Sequence, residues 1–157
     1  MKRIGIALVA IAAAGALRDA GADVEEATPP SGGHDLTVEV WSSYGDAAIG
    51  YGLLRRWDAY RARMLAWGER HDLLLSPVFV GPAPLHGALA NHEGIDPTGF
   101  TTPHSLTGWP AATVRCGASP EGLPIGVQIV AGPWRDDVAL AAALAIEREL
   151  GGWSPPA

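Results

Sequence analysis

The chain of 157 residues has one cysteine, few basic residues and no long apolar run. Its single cysteine, Cys116, excludes an internal disulfide framework and any metal site built from several thiolates. One lysine, Lys2, and ten arginines are scattered along a chain of formal net charge −6. Because no basic stripe exists to follow a phosphate backbone, we expect no nucleic-acid partner.

Long apolar runs are also absent. The longest, 4–17, has about 14 residues, whereas a helix that spans a membrane needs roughly 18 to 20. We therefore expect no membrane partner. A composition of 48% apolar and 18% charged residues is typical of a globular protein, and the length predicts one domain over residues 1–157.

Two interpretations of the N-terminal segment are open. A basic start, an apolar run and a small-residue step are typical of a secretory signal peptide over residues 1–16. The alternative is a βαβ unit, with a strand over 3–8, a helix over 9–20 ended by Gly21, and a strand over 22–27. The glycine and the prolines that follow favour the βαβ unit and a cytoplasmic protein, with secretion as the alternative.

The remainder of the chain alternates helical and extended patterns. We predict helices over 35–49, 53–69 and 136–150, and strands over 73–77, 112–117 and 123–130. The continuous apolar run at 73–77 is typical of a buried parallel strand. These patterns predict an α/β fold with four or five strands.

A loop of unusual length, 78–108, separates two of these strands. Loops of this length are usually functional or disordered. Five side chains of metal-ligating types lie in it: His86, His92, Glu93, Asp96 and His104. Their spacing matches no compact ligand signature, so it favours a solvated loop over a metal site.

Two motifs with glycine and proline at fixed spacing follow: Leu-Thr-Gly-Trp-Pro-Ala at 106–111 and Gly-Leu-Pro-Ile-Gly-Val-Gln at 122–128. With Asp-Leu-Leu-Leu-Ser-Pro at 72–77 and the segment 17–30, they resemble the amidase-signature family, in the family's order. The resemblance covers most of the chain. It implies a partial amidase-signature domain, one side of an α/β/α sandwich around a mixed β-sheet, with 78–108 as a long loop beside the substrate cleft.

The resemblance implies hydrolysis of a carboxamide to a carboxylic acid and ammonia or an amine, with no cofactor or metal. The family uses a serine nucleophile, a second serine and a lysine base, and these lie N-terminal to every segment matched here. Lys2 is at the chain start, and the Ser42-Ser43 pair has no glycine-rich context. We therefore expect the C-terminal portion of an amidase, with no catalytic residues of its own and no activity alone.

By the same resemblance, four residues are candidates to line the substrate cleft: Thr102, Ser105, Thr107 and Gly108. Trp109 and Trp134 lie on the neighbouring loops and are candidates to face it. Cys116 is either a nucleophile paired with a histidine or a packed core residue, and its apolar strand favours the core.

Part of a sandwich should expose apolar surface, so we expect either a complementary N-terminal half or self-association. The ligand of the intact family is a small-molecule amide. Two alternatives stay open: a non-enzymatic binding or assembly module that keeps the cleft loop, and a small secreted protein released from its signal peptide.

Overall fold

The computed structural model describes residues 3–45, 50–79, 81, 83 and 98–153. Within them it forms helices α1 (Arg3–Asp19), α2 (Gly33–Ser42), α3 (Tyr51–Gly68), α4 (Thr102–Ser105) and α5 (Asp136–Leu150), and strands β1 (Leu73–Pro77), β2 (Ala111–Ala118) and β3 (Pro124–Ala131). A 3₁₀ turn, Ser43–Gly45, follows α2. None of the described helices combines the length and the apolarity that a membrane span needs.

The three described strands form a sheet in the order β1-β3-β2. Both pairings are antiparallel, with Ser76 and Thr113 each opposite Gln128. The prediction that 73–77 is a parallel strand is therefore wrong, and neither pairing within the described residues has the mixed character implied by the resemblance. The apolar run misled because β1 has helices against both faces, and burial on both faces gives such a run in either orientation.

Helices pack on both faces of this sheet, which confirms the α/β class and the layered arrangement. On one face, α1 and α5 enclose a core centred on Val127, Ile129 and Ile146. On the other, α2 and α3 enclose a second core that includes Tyr60 and Met64. We call these the α1–α5 core and the α2–α3 core.

The predicted βαβ unit at the N-terminus is wrong. Residues 3–8 belong to α1, which runs without interruption to Asp19. Residues 22–27 have no strand assignment. The alanine-rich run sustains one long helix because helix extension is cooperative, whereas a strand at 3–8 would need a neighbouring strand to accept its hydrogen bonds.

Helix α3 agrees closely with the helix predicted over 53–69. Of the helix predicted over 35–49, α2 confirms only the first part, beginning two residues earlier and ending at Ser42. Residues 43–45 form the 3₁₀ turn, and 46–49 lie outside the described residues. Gly33 opens α2 at a point of close approach to α3 and α4. A Cβ atom there would overlap the Tyr60 ring and lie 2.9 Å from Pro103 Cβ. The junction of the three helices therefore depends on a residue without a side chain.

Candidate functional site

The candidate site is the segment 98–109, which ends the long loop and contains the four predicted cleft residues. The single helical turn inside it, α4, was not predicted from the sequence. Side chains from α2, α3 and β3 hold the segment in place.

Helix α2 holds the start of α4 through two polar side chains. The Thr102 hydroxyl donates to the Thr98 carbonyl (3.1 Å), so its oxygen accepts from Nδ1 of His34 at 2.7 Å. Thr37 Oγ1 lies 2.7 Å from the carbonyl of Gly33 and 3.0 Å from that of Thr102. Because Thr102 and Thr37 are buried, these bonds offset the cost of placing hydroxyl groups in the interior.

Helix α3 holds the end of the segment. The indole Nε1 of Trp57 donates to the Leu106 carbonyl at 2.7 Å. Trp109 is 7% exposed and packs against Gly68, where an added Cβ would lie 2.8 Å from the indole. Trp109 is therefore a core residue of this junction.

The remaining predicted cleft residues divide by exposure. Thr107 is buried, and its hydroxyl donates to the His104 carbonyl (2.8 Å) while accepting from the Trp109 amide (3.2 Å). Ser105 and Gly108 are exposed. Gly108 has φ +69°, a left-handed conformation in which a side chain would be strained. The structure thus brings the four residues onto one short segment, with Thr102 and Thr107 bonded inward and the other two facing outward.

Sequence reasoning missed Gln128 as a contact of this segment. Its side chain is 4% exposed, and its Nε2 lies 2.6 Å from the Phe100 carbonyl. The available signal was an amide residue in an apolar strand, because a buried amide needs a hydrogen-bond partner.

His104 is the one side chain of the segment with a buried polar atom that has no hydrogen-bond partner among the described residues. Its Nδ1 is buried and has no partner there. Burial lowers the pKa of the His104 imidazole below its ordinary value of 6.5. The neutral form is therefore the one that the folded protein accommodates.

We expect His104→Phe to raise the free energy of unfolding by about 1 kcal/mol at pH 7.5, because it removes a buried nitrogen without a partner. The folded state binds the His104 proton less readily than the unfolded state, so this histidine lowers stability as the pH falls below about 6.5. Denaturant unfolding at pH 7.5 and 5.5 measures both effects. A variant that is less stable at pH 7.5, or that has the wild-type pH dependence, would contradict the prediction.

Cys116 is a core residue, as its position in an apolar strand predicted. It belongs to the α1–α5 core, and its Sγ lies 3.6 Å from the Ile125 carbonyl. Burial raises the pKa of the Cys116 thiol to about 11. At neutral pH almost none of it is thiolate, the form a nucleophile requires.

Both hydroxyl groups of the Ser42-Ser43 pair are hydrogen-bonded to nearby backbone carbonyls. Each hydroxyl donates to the carbonyl four residues earlier, Val38 for Ser42 (2.8 Å) and Glu39 for Ser43 (2.9 Å). Such bonds are ordinary for serine in a helix. The pair therefore has a local structural explanation.

Several candidate residues cannot be placed. Lys2, His86, His92, Glu93 and Asp96 lie outside the described residues. Among the residues that are described, no three histidine, cysteine or carboxylate side chains come together as a metal ion would require. Trp134 is 93% exposed, so it does not pack into the segment.

The sequence of the chain matches a protein family and several known proteins. A family model described as Amidase matches residues 43–140. The chain is 34% identical over 127 residues to fatty-acid amide hydrolase 2-A of Danio rerio, a match covering 74% of this chain and 24% of that protein. It is 34% identical over 106 residues to the 6-aminohexanoate-cyclic-dimer hydrolase of Pseudomonas sp. (strain NK87), covering 58% and 22%.

The solved structures extend the match in three dimensions. A structure of 6-aminohexanoate cyclic dimer hydrolase aligns with a TM-score of 0.74 and 26% identity, covering 92% of this chain and 41% of that chain. The present chain spans about a quarter of the length of the curated relatives it matches. More than half of the aligned structure thus has no counterpart here.

Proposed function

This chain belongs to the amidase family, and on that premise we propose that it is the C-terminal part of an amide hydrolase. In this proposal it supplies one side of the α/β/α sandwich and one wall of the amide site. A polypeptide outside these 157 residues supplies the serine nucleophile, the lysine base and the donors for the oxyanion. Alone, the chain is inactive.

The observation that carries this proposal is the construction of the 98–109 segment. Three structural elements fix it by hydrogen bonds and packing, while Ser105 and Gly108 remain exposed. A wall fixed in this way positions a substrate without supplying chemistry, since positioning and reaction are separable contributions to catalysis. Thr102, Ser105, Thr107 and Gly108 are the proposed wall residues, with the inward pair shaping the segment and the outward pair facing the amide.

The two nucleophile candidates that the sequence suggested, Cys116 and the Ser42-Ser43 pair, support the same division of roles. The Cys116 thiol is buried and protonated at neutral pH. Ser42 and Ser43 bond to their own helix. A serine needs an adjacent base to attack a carbonyl, and neither bond supplies one. We therefore assign the nucleophile to the proposed complementary polypeptide.

The test begins with the DNA upstream of the coding sequence, translated in all three forward frames. A glycine- and serine-rich loop with a suitable lysine would define the complementary part, which is then co-expressed with the chain. We expect the two to copurify and to hydrolyse simple carboxamides, and a serine-to-alanine change in the complementary part to abolish turnover.

Two outcomes would overturn the proposal. Serine-dependent turnover by the purified 157-residue chain would show that it holds its own nucleophile. If no complementary part is encoded and the chain binds small amides without turnover, the binding module is the correct function.

A further inference from the structure

Gln128 contacts three oxygen atoms from two separate parts of the chain. Its Nε2 lies 2.6 Å from the Phe100 carbonyl, 2.9 Å from Ser76 Oγ and 3.3 Å from the Pro77 carbonyl. Ser76 and Pro77 end β1, whereas Phe100 lies at the start of the candidate segment. One amide group therefore joins the segment to the end of a strand.

The strand register explains why the side chain reaches both. Ser76 on β1 and Thr113 on β2 lie opposite Gln128 on β3. Because side chains alternate along a strand, Gln128 lies on the face opposite Val127 and Ile129, which belong to the α1–α5 core. It therefore faces the side of the sheet on which the 98–109 segment packs.

The chemistry of the contact requires a hydrogen-bond donor. Carbonyl oxygens only accept, and the NH₂ group of glutamine has two hydrogens to give. One of these hydrogens is donated to the Phe100 carbonyl, and the other is shared between Ser76 Oγ and the Pro77 carbonyl. An apolar residue of the same size would remove the donor to the part-buried Phe100 carbonyl, and a carboxylate would bring a negative charge against it.

The position of the Phe100 carbonyl affects the rest of the segment. It lies within the turn formed by the amides of Thr101 and Thr102, which both donate to the Thr98 carbonyl (2.9 and 3.0 Å). That turn leads directly into α4. Fixing the Phe100 carbonyl therefore fixes where α4 begins, and with it the placement of Ser105 and Gly108.

We propose that Gln128 is a positioning residue, which sets the 98–109 segment against the end of β1 and so orients the wall of the amide site. The first part of this proposal, that Gln128 positions the segment, is supported by the hydrogen bonds of its side chain described above. Its consequence for substrate rests on the proposed function. Gln128 touches no substrate in this scheme and acts only through the segment.

Hydrogen exchange of the full chain tests the first part. We expect amides in 98–109 to exchange roughly tenfold faster in Gln128→Leu and Gln128→Glu, while amides of α5 and the β2–β3 pairing keep wild-type rates. Thr113→Val is the matched control, since this exposed residue lies opposite Gln128 and should leave the segment unchanged. Wild-type exchange in the segment of a folded Gln128→Leu would overturn the inference. If Gln128→Glu does not fold, Gln128→Leu decides.

The co-expressed enzyme tests the second part. We expect Gln128→Leu to raise KM for the amide about tenfold with kcat within about threefold, a split that general instability would not produce. Faster exchange with unchanged KM would overturn the link to the substrate. If the co-expressed parts are inactive, the proposed function fails, while the exchange result still decides whether Gln128 positions the segment.

Discussion

Replacing Gly33 by alanine is expected to destabilise the protein by about 2–3 kcal/mol, the upper part of the range for overpacking a core. The added methyl group would meet the Tyr60 ring and Pro103. Tyr60 is 1% exposed and cannot swing into solvent, so α2 must shift away from α3 and α4. The shift would also weaken the contacts of Thr37 and His34 with Thr102. Denaturant unfolding measures the loss.

Gly52 is the matched control for this change. It lies in α3, and an added Cβ would meet nothing within 4 Å. Alanine is favoured over glycine in a helix, so Gly52→Ala should stabilise the protein by about 0.5–1 kcal/mol. If the two variants unfold at the same denaturant concentration, the close approach at Gly33 does not limit packing.

Trp109→Ala is expected to cost about 3–5 kcal/mol, since truncating a buried tryptophan removes apolar contacts and leaves a cavity. The side chain fills the space beside Gly68 and belongs to the α2–α3 core. Its loss removes the packing that holds the end of the 98–109 segment on α3. Thermal unfolding measures the effect, and Trp109→Phe, with a smaller cavity, should fall between the variant and the wild type.

Trp134→Ala provides the comparison at an exposed site. Trp134 is almost fully exposed and has φ +64°. Alanine is strained there as tryptophan is, so we expect a change within about 0.5 kcal/mol. Equal losses from Trp109→Ala and Trp134→Ala would contradict the burial difference between them.

The sequence allowed the fold to be predicted where a local pattern had one structural meaning. Helix α3 shows the apolar period of a helix on a sheet, and the two strands predicted over 112–117 and 123–130 pair as β2 and β3. The prediction failed where the pattern had two meanings. Burial on both faces gives β1 the same composition in a parallel or an antiparallel sheet, and the alanine-rich run of α1 was divided at a point where no residue interrupts the helix.

The location of the candidate site in the sequence was predictable, but its three-dimensional contacts were not. The fixed glycine and proline spacing at 106–111 located it. Its anchors lie far away in sequence, however: Thr37 is 65 positions from Thr102, and Trp57 is 49 from Leu106. No local pattern reports such pairings, and the carbonyl groups of Phe100 and Pro77 come within reach of Gln128 only once the chain has folded.

The antiparallel sheet also determines the order in which its strands can meet. The β2–β3 pairing is local, closed by the turn in which Ser119 accepts from Gly122 and donates to Leu123. By contrast, β1 must join β3 across about 50 intervening residues, and closing that longer loop costs about 2 kcal/mol more in chain entropy. We infer that the hairpin forms early and that β1 docks late, so substitutions in β1 should chiefly accelerate unfolding in stopped-flow measurements. The end of β1 that anchors Gln128 and the 98–109 segment would then be among the last parts of the molecule to acquire its shape.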